Sequence, residues 1–215
     1  MITAWEATAV LIDPVRRALY DHVRAVRTPV SREDAASAVG VSRSLAAFHL
    51  DKLVDVGLLA ARHEAPSDRP RARGRAPKVY EPAAVEVSLT IPERRYELLG
   101  DILAEAVARE PHDAAGAARR IAHRHGAGVG EAARPAPVAD VLTGLGFEPA
   151  EDAGDLVLRN CPFHRLAVRE TDLVCGINLC FVTGVLDGLG GTGREARLAP
   201  APDTCCVRLT RPDDA

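Results

Sequence analysis

The sequence predicts an α+β chain built in two parts, and three observations carry that reading. Apolar residues recur at helical spacing through the first fifty or so positions, punctuated by serine caps and glycine stops. Two short apolar runs at 58–62 and 78–80 flank a stretch rich in Pro, Gly and Arg, the pattern of two strands and a connecting loop. Beyond further helical periodicity, alternation of period two returns in the last third, where all five cysteines lie.

Composition bounds the rest. The 215 residues, 47% apolar and 4% aromatic, suffice for one large or two small cores and exclude a disordered chain. No run of 18 or more purely apolar residues occurs, and the opening Met1–Glu6 lacks a basic, then apolar, leader pattern. The expected compartment is therefore cytoplasmic, where thiols stay reduced and an odd cysteine count points to metal ligands or reactive thiols. Residues 1–82 carry a net charge of +3 and residues 83–215 one of −6. A nucleic-acid-facing end and a sensing or dimerising end suit that asymmetry.

Apolar positions Ala9, Ile12, Val15, Leu19, Val23 and Val26 give helical structure over 5–26, with Pro14 marking a helix start or a kink. Ser31 caps a helix over 32–38, with Glu33 and Asp34 in its first turn and Gly40 at its end. Ser42 caps a second helix over 43–54, closed by Gly57. Helix, short turn and helix at this spacing make a helix-turn-helix. Leu45, His49 or Phe48, Leu53 and Val56 are expected to face the core. Ser42, Arg43, Ser44, Ala47 and Lys52 are left for the exposed face, with Arg43 and Ser44 best placed to meet base edges. The loop between the two strands holds Arg69, Arg71, Arg73 and Arg75, whose forked donors suit phosphates or a minor groove, and Lys78 opens the returning strand. Together these features make a wing and a DNA-binding first part.

The run from Val41 to Ser44, then His49 to Leu59, followed by Gly74 to Tyr80, resembles the winged helices of ArsR-type bacterial regulators. The resemblance covers residues 8–82 and implies the fold and operator binding, while leaving the inducer open.

After Pro82 the pattern gives helices over 91–109, 112–133 and 138–145, although Gly116, Gly126, Gly128 and Gly130 weaken the second. His123 and His125, two positions apart on that helix, point in different directions and do not suggest a shared metal. Strands are expected over 147–150 and 155–161, a long helix over 164–189, and strands over 196–198 and 205–210. These make a small antiparallel sheet with the long helix across it. The organisation is thus a winged helix-turn-helix (1–82), a helical linker or dimerisation segment (83–135) and a small α+β sensor domain (136–215).

Cys175 shares an apolar stripe with Leu179, Val182 and Leu186, whereas Cys180 is rotated about 140° from it and reads as a packing residue. Alternation on the last strand turns Cys205 inward and Cys206 outward. Cys161 precedes a helix start, which favours thiolate, and His164 stands within chelating reach of it. Cys161, Cys175 and Cys205 would converge between helix and sheet, with His164 or Cys206 as a fourth ligand. Such a set suits Zn²⁺ or an iron–sulfur cluster; the other reading is that these are free cysteines buried as small core residues. Cys161 and His164 also form a nucleophile–base pairing on paper, but no Asn/Asp motif or glycine-rich cofactor loop accompanies them, and the expectation is no enzyme.

The segments Asn160–Ala167, Val174–Leu179 and Ala196–Pro200, with Cys205-Cys206-Val207-Arg208-Leu209, resemble the sensor domain of SufR-like regulators. That resemblance implies a repressor of genes for iron–sulfur cluster assembly, with Cys161, Cys175 and Cys205 as cluster ligands. The family pattern has a further cysteine between the second and the last; here Cys180 occupies that interval at a shorter spacing, so zinc or a non-cysteine fourth ligand stays open. The expected protein is a homodimeric regulator coupling a thiolate site to affinity for double-stranded operator DNA. The alternative is a winged-helix regulator of a small organic effector, with structural zinc or no metal.

Overall fold

Side-chain caps fix where the first helices begin. Asp13 accepts from Arg16 N at 2.9 Å and Pro14 occupies the first helical position, so α2 (Pro14–Ala25) follows α1 (Ala4–Val10) as a separate helix. Ser31 accepts from Asp34 N and Ser42 from Leu45 N, each at 3.2 Å, and these caps start α3 (Arg32–Val39) and α4 (Arg43–Asp55). Between them Gly40 turns the chain at φ 74°, a left-handed conformation that glycine enters without a Cβ penalty. The computed structural model describes residues 3–26, 28–64 and 76–211.

The chain divides into two compact units, 1–89 and 90–215. In the first, β1 (Val30–Ser31), β2 (Leu59–His63) and β3 (Lys78–Pro82) form an antiparallel sheet of order β1-β3-β2. Val30 pairs with Tyr80, and Ala61 pairs with the same residue from the other side. The two-residue β1, too short to show alternation, is missing from the sequence expectation. Leu19, Val23, Ala35, Ala46, Leu50, Leu53 and Tyr80 close a core between helices and sheet. Asp51 ties α4 to β3 by accepting from Lys78 Nζ at 2.6 Å and from the Tyr80 hydroxyl at 2.9 Å. The unit is a winged helix. Arg69, Arg71, Arg73 and Arg75 lie outside the described residues.

In the second unit α5 (Tyr96–Arg109), α6 (Ala114–Ala133) and α7 (Val138–Gly144) precede a four-stranded antiparallel sheet of order β4-β5-β7-β6. Its strands are β4 (Pro149–Asp152), β5 (Asp155–Leu158), β6 (Glu195–Leu198) and β7 (Val207–Thr210). Leu99, Ile102 and Ile121 from α5 and α6 share one core with Leu158, Phe181, Val207 and Leu209, so these two helices are part of this unit. The expected helix over 164–189 is two, α8 (His164–Ala167) and α9 (Thr171–Leu189), because Glu170 leaves helical geometry at φ −132°. By length and composition α9 is apolar enough to cross a membrane (mean hydropathy 1.5), its few polar residues being diluted in the average; in this unit 61% of it is buried.

That burial is against α6, and glycines make it possible. A Cβ on Gly126 would overlap the Phe181 carbonyl oxygen, and one on Gly130 that of Val185. From the other side, a Cβ on Gly184 would overlap the carbonyl oxygen of His123, and one on Gly188 that of Ala127. Four residues apart on each helix, these glycines form two facing backbone strips. The glycines that weaken α6 as an isolated helix are the ones that let it touch α9. Gly128, by contrast, is exposed with nothing within 4 Å of its would-be Cβ. Gly126→Ala or Gly184→Ala should therefore destabilise the fold by about 1–3 kcal/mol net of any helix-propensity gain. Gly128→Ala should stabilise it by up to ~1 kcal/mol. Denaturant unfolding of the three variants checks this; equal effects at positions 126 and 128 would contradict the close crossing.

Candidate functional site

Two sets of side chains carry chemistry, one in each unit. On α4, Ser42, Arg43, Ser44 and Lys52 are exposed and Ala47 is half-buried. Arg43 pairs with Glu33 of α3, and Lys52 Nζ lies 3.5 Å from Asp55. Lys78 is engaged by Asp51, so in the free protein three of the expected DNA cations already hold carboxylates. The core side of α4 includes His49 and Leu53 as expected but differs otherwise: Ala46 and Leu50 are also buried, whereas Leu45 and Phe48 stand 40% and 54% exposed. Helical geometry explains the correction. Positions 46, 49, 50 and 53 follow i, i+3, i+4, i+7, and only one such stripe can face α2 and α3.

In the second unit four of the five cysteines are brought together from three remote segments. Cys161 follows β5, Cys175 sits in the second turn of α9, and Cys205 and Cys206 end the loop that enters β7. Cys161, Cys175 and Cys205 are buried and Cys206 is half-buried. Hydrogen bonding joins Cys161 to Cys205, Cys205 to Cys206, and Cys206 to Cys175. The expectation that Cys206 points away fails because β7 begins at Val207: both cysteines precede the strand, where period-two alternation has no hold. His164 is exposed at the first residue of α8 and enters none of these thiol contacts.

The linked thiols are electrostatically unequal. Donation from Cys205 pulls Cys206 down to about 6, helped by hydrogen bonds from Cys175, Asn178 and its own backbone N–H against the opposing effect of burial. Cys161 is likewise lowered by its bond to Cys205, with the Phe163 N–H and Arg94 assisting. Cys205 is held protonated, since its S–H serves the sulfurs of Cys161 and Cys206 and burial disfavours its charge. Burial, then donation to Cys206, raises Cys175 to about 12. Two acceptor sulfurs, Cys161 and Cys206, thus alternate with two donor thiols, Cys205 and Cys175. Cys180 stands apart, raised by burial, on the wall of a cleft of about 350 Å³ that Cys175, Cys206, Arg119, Leu179 and Leu198 also line.

Two polar residues absent from the sequence expectation support the cluster. Asn178 is buried on α9, donates through Nδ2 to Cys205 Sγ at 3.1 Å, and leaves its Oδ1 without a partner. Its signal was present in the sequence: a lone amide three positions after Cys175 in an apolar helix shares that cysteine's face. Arg94 donates through Nη1 to Asn160 Oδ1 at 2.5 Å and to the Cys161 carbonyl at 3.2 Å, fixing the segment that presents Cys161.

Among the described residues no three Cys, His, Asp or Glu side chains are arranged to hold one metal ion. The donor set is one of soft sulfurs, Cys161, Cys175, Cys205 and Cys206, with the Asn178 N–H donor beside them, the ligand type of thiolate-bound metals. Residues 11–62 match the helix-turn-helix domain family. No curated protein and no solved structure matches the chain. A winged helix with that match defines a DNA-binding transcriptional regulator. Because the Cys206 thiolate lines an open cleft, its alkylation by iodoacetamide in the reduced, metal-free chain should rise through a midpoint near pH 6. Residue-resolved mass spectrometry checks this, and a midpoint near the ordinary thiol value of ~8.5 would contradict the donor–acceptor line.

Proposed function

We propose that this regulator senses iron–sulfur or redox status through a cluster held by Cys161, Cys175, Cys205 and Cys206, and binds its operator as a cytoplasmic homodimer. One observation carries the reading: sulfurs from three separate segments are gathered in the buried interior and joined to one another. Four soft sulfur ligands from three segments are the donor type that an iron–sulfur cluster takes. A bound cluster supplies a one-electron, oxygen-sensitive centre. The chain's own residues do the rest. Cys175 and Asn178 lie on α9 and Cys205 and Cys206 on the loop before β7, so holding a common group ties that helix to that loop. Asn178 donates to sulfur, Arg94 adds positive charge near Cys161, and burial limits water. Paired winged helices reading paired half-sites account for the dimer.

The cleft beside Cys206 supports a second reading, a small organic effector, since its volume of about 350 Å³ falls in the range of ligand sites and much of its lining is apolar. Iron, sulfide and zinc analysis with an absorption spectrum of anaerobically isolated protein separates the two. The cluster reading expects brown protein with iron and sulfide, colour lost in Cys161→Ser and Cys206→Ser and retained in Cys180→Ser. Colourless protein, or loss confined to Cys180→Ser, would overturn it.

A further inference from the structure

The recognition helix carries an apolar surface that the core does not use. Leu45 and Phe48, one turn apart, stand 40% and 54% exposed on α4 and share a face with Ser44 and Lys52. Leaving a phenylalanine ring in water is costly, and the structure holds this one in a set orientation. Its ring meets the His49 imidazole edge to face, centroids 5.2 Å apart at 69°. His49 is buried, and its Nδ1 accepts from Arg16 Nε at 3.3 Å; Arg16 in turn donates through Nη1 to the Val10 carbonyl at 3.1 Å. A relay from α2 through His49 therefore positions a ring that packs against no core of its own.

Charge gives this surface its partner. Arg43 beside it is drawn to Glu33, and Lys52 and Asp55 pair at the far end of the helix, so the apolar side chains lie in the N-terminal half of α4. That half of a recognition helix meets base edges, and the one apolar group displayed in the major groove is the C5-methyl of thymine. We propose that Phe48 and Leu45 read thymine methyl groups in the operator, with His49 and Arg16 as positioning residues. Phosphate and guanine contacts then fall to the hydroxyls and cations around them, and the apolar pair supplies discrimination that salt does not screen. This rests on the DNA-binding reading of the first unit.

The test uses the full chain as isolated. A duplex is selected from a random double-stranded pool, then remade with uracil at each thymine in turn, which removes only the methyl group. Wild-type protein should bind at least one uracil-substituted duplex roughly five- to tenfold more weakly, the low end of a mismatched base pair. Phe48→Ala or Leu45→Ala should bind that duplex and its thymine parent equally, with an unchanged slope of log affinity against log salt. Because both side chains are exposed, these variants should keep the wild-type melting temperature, and Phe48→Leu guards against a folding defect by retaining part of the discrimination. Equal binding of all thymine and uracil duplexes by the wild type, or full discrimination by both alanine variants, overturns the proposal. A pool that yields no enriched duplex overturns the DNA-binding reading and the proposal with it.

Discussion

The contact on which the second unit depends is the backbone-to-backbone crossing of α6 and α9. Four glycines, two on each helix, remove the side chains that would hold the axes apart, and carbonyl oxygens of one helix occupy the space where the other's Cβ atoms would be. Ordinary helix pairs keep their axes 8–10 Å apart, set by the side chains between them. Here no such cushion exists at the crossing, so α9 has little freedom to slide or rotate. Rigidity there matters because α9 presents Cys175 and Asn178, and a thiol hydrogen bond tolerates little displacement of its partners.

The thiols answer a problem of burial. Four sulfurs with little exposure to water form a sequence of donors and acceptors, in which Cys205 and Cys175 give protons and Cys161 and Cys206 receive them. Asn178 adds an N–H donor from the helix, and its unpaired carbonyl oxygen is a buried polar atom retained at a cost that a purely structural core would avoid. A sulfur lowered to about 6 on the wall of a cleft, as Cys206 is, suits chemistry more than packing.

Much of this was legible in the residues, and the failures have physical causes. Serine caps at 31 and 42 and glycine at 40 and 57 mark α3 and α4 because capping is a local, side-chain-to-backbone interaction. The gathering of Cys161, Cys175 and Cys205 could be anticipated because each lies at a recognisable point, an element end or an apolar stripe. Cys206 was misdirected because the strand begins at Val207, two residues later than its alternation suggested, so the period-two rule was applied to residues that lie before the strand. Leu45 was assigned to the core, and Phe48 left as an alternative to His49, because hydrophobicity says which residues prefer burial, not which stripe wins when a helix has apolar residues on two sides. The glycines of α6 misled for a similar reason: propensity weighs a residue alone, and their value lies in a partner helix more than fifty positions away.

Reading the thiol line as the sensor of a DNA-binding regulator makes one demand above the rest: the state of the sulfurs must alter the grip on DNA. The direct measurement is operator affinity of a single anaerobic preparation before and after its thiol-bound group is removed by a chelator, with Cys205→Ser as the permanently unloaded form. Coupling of the usual size of about 1–3 kcal/mol predicts a change of roughly five- to 150-fold, and removal should bring the wild type to the affinity of Cys205→Ser. Identical affinity in all three states would contradict sensing and leave the cysteines a structural role.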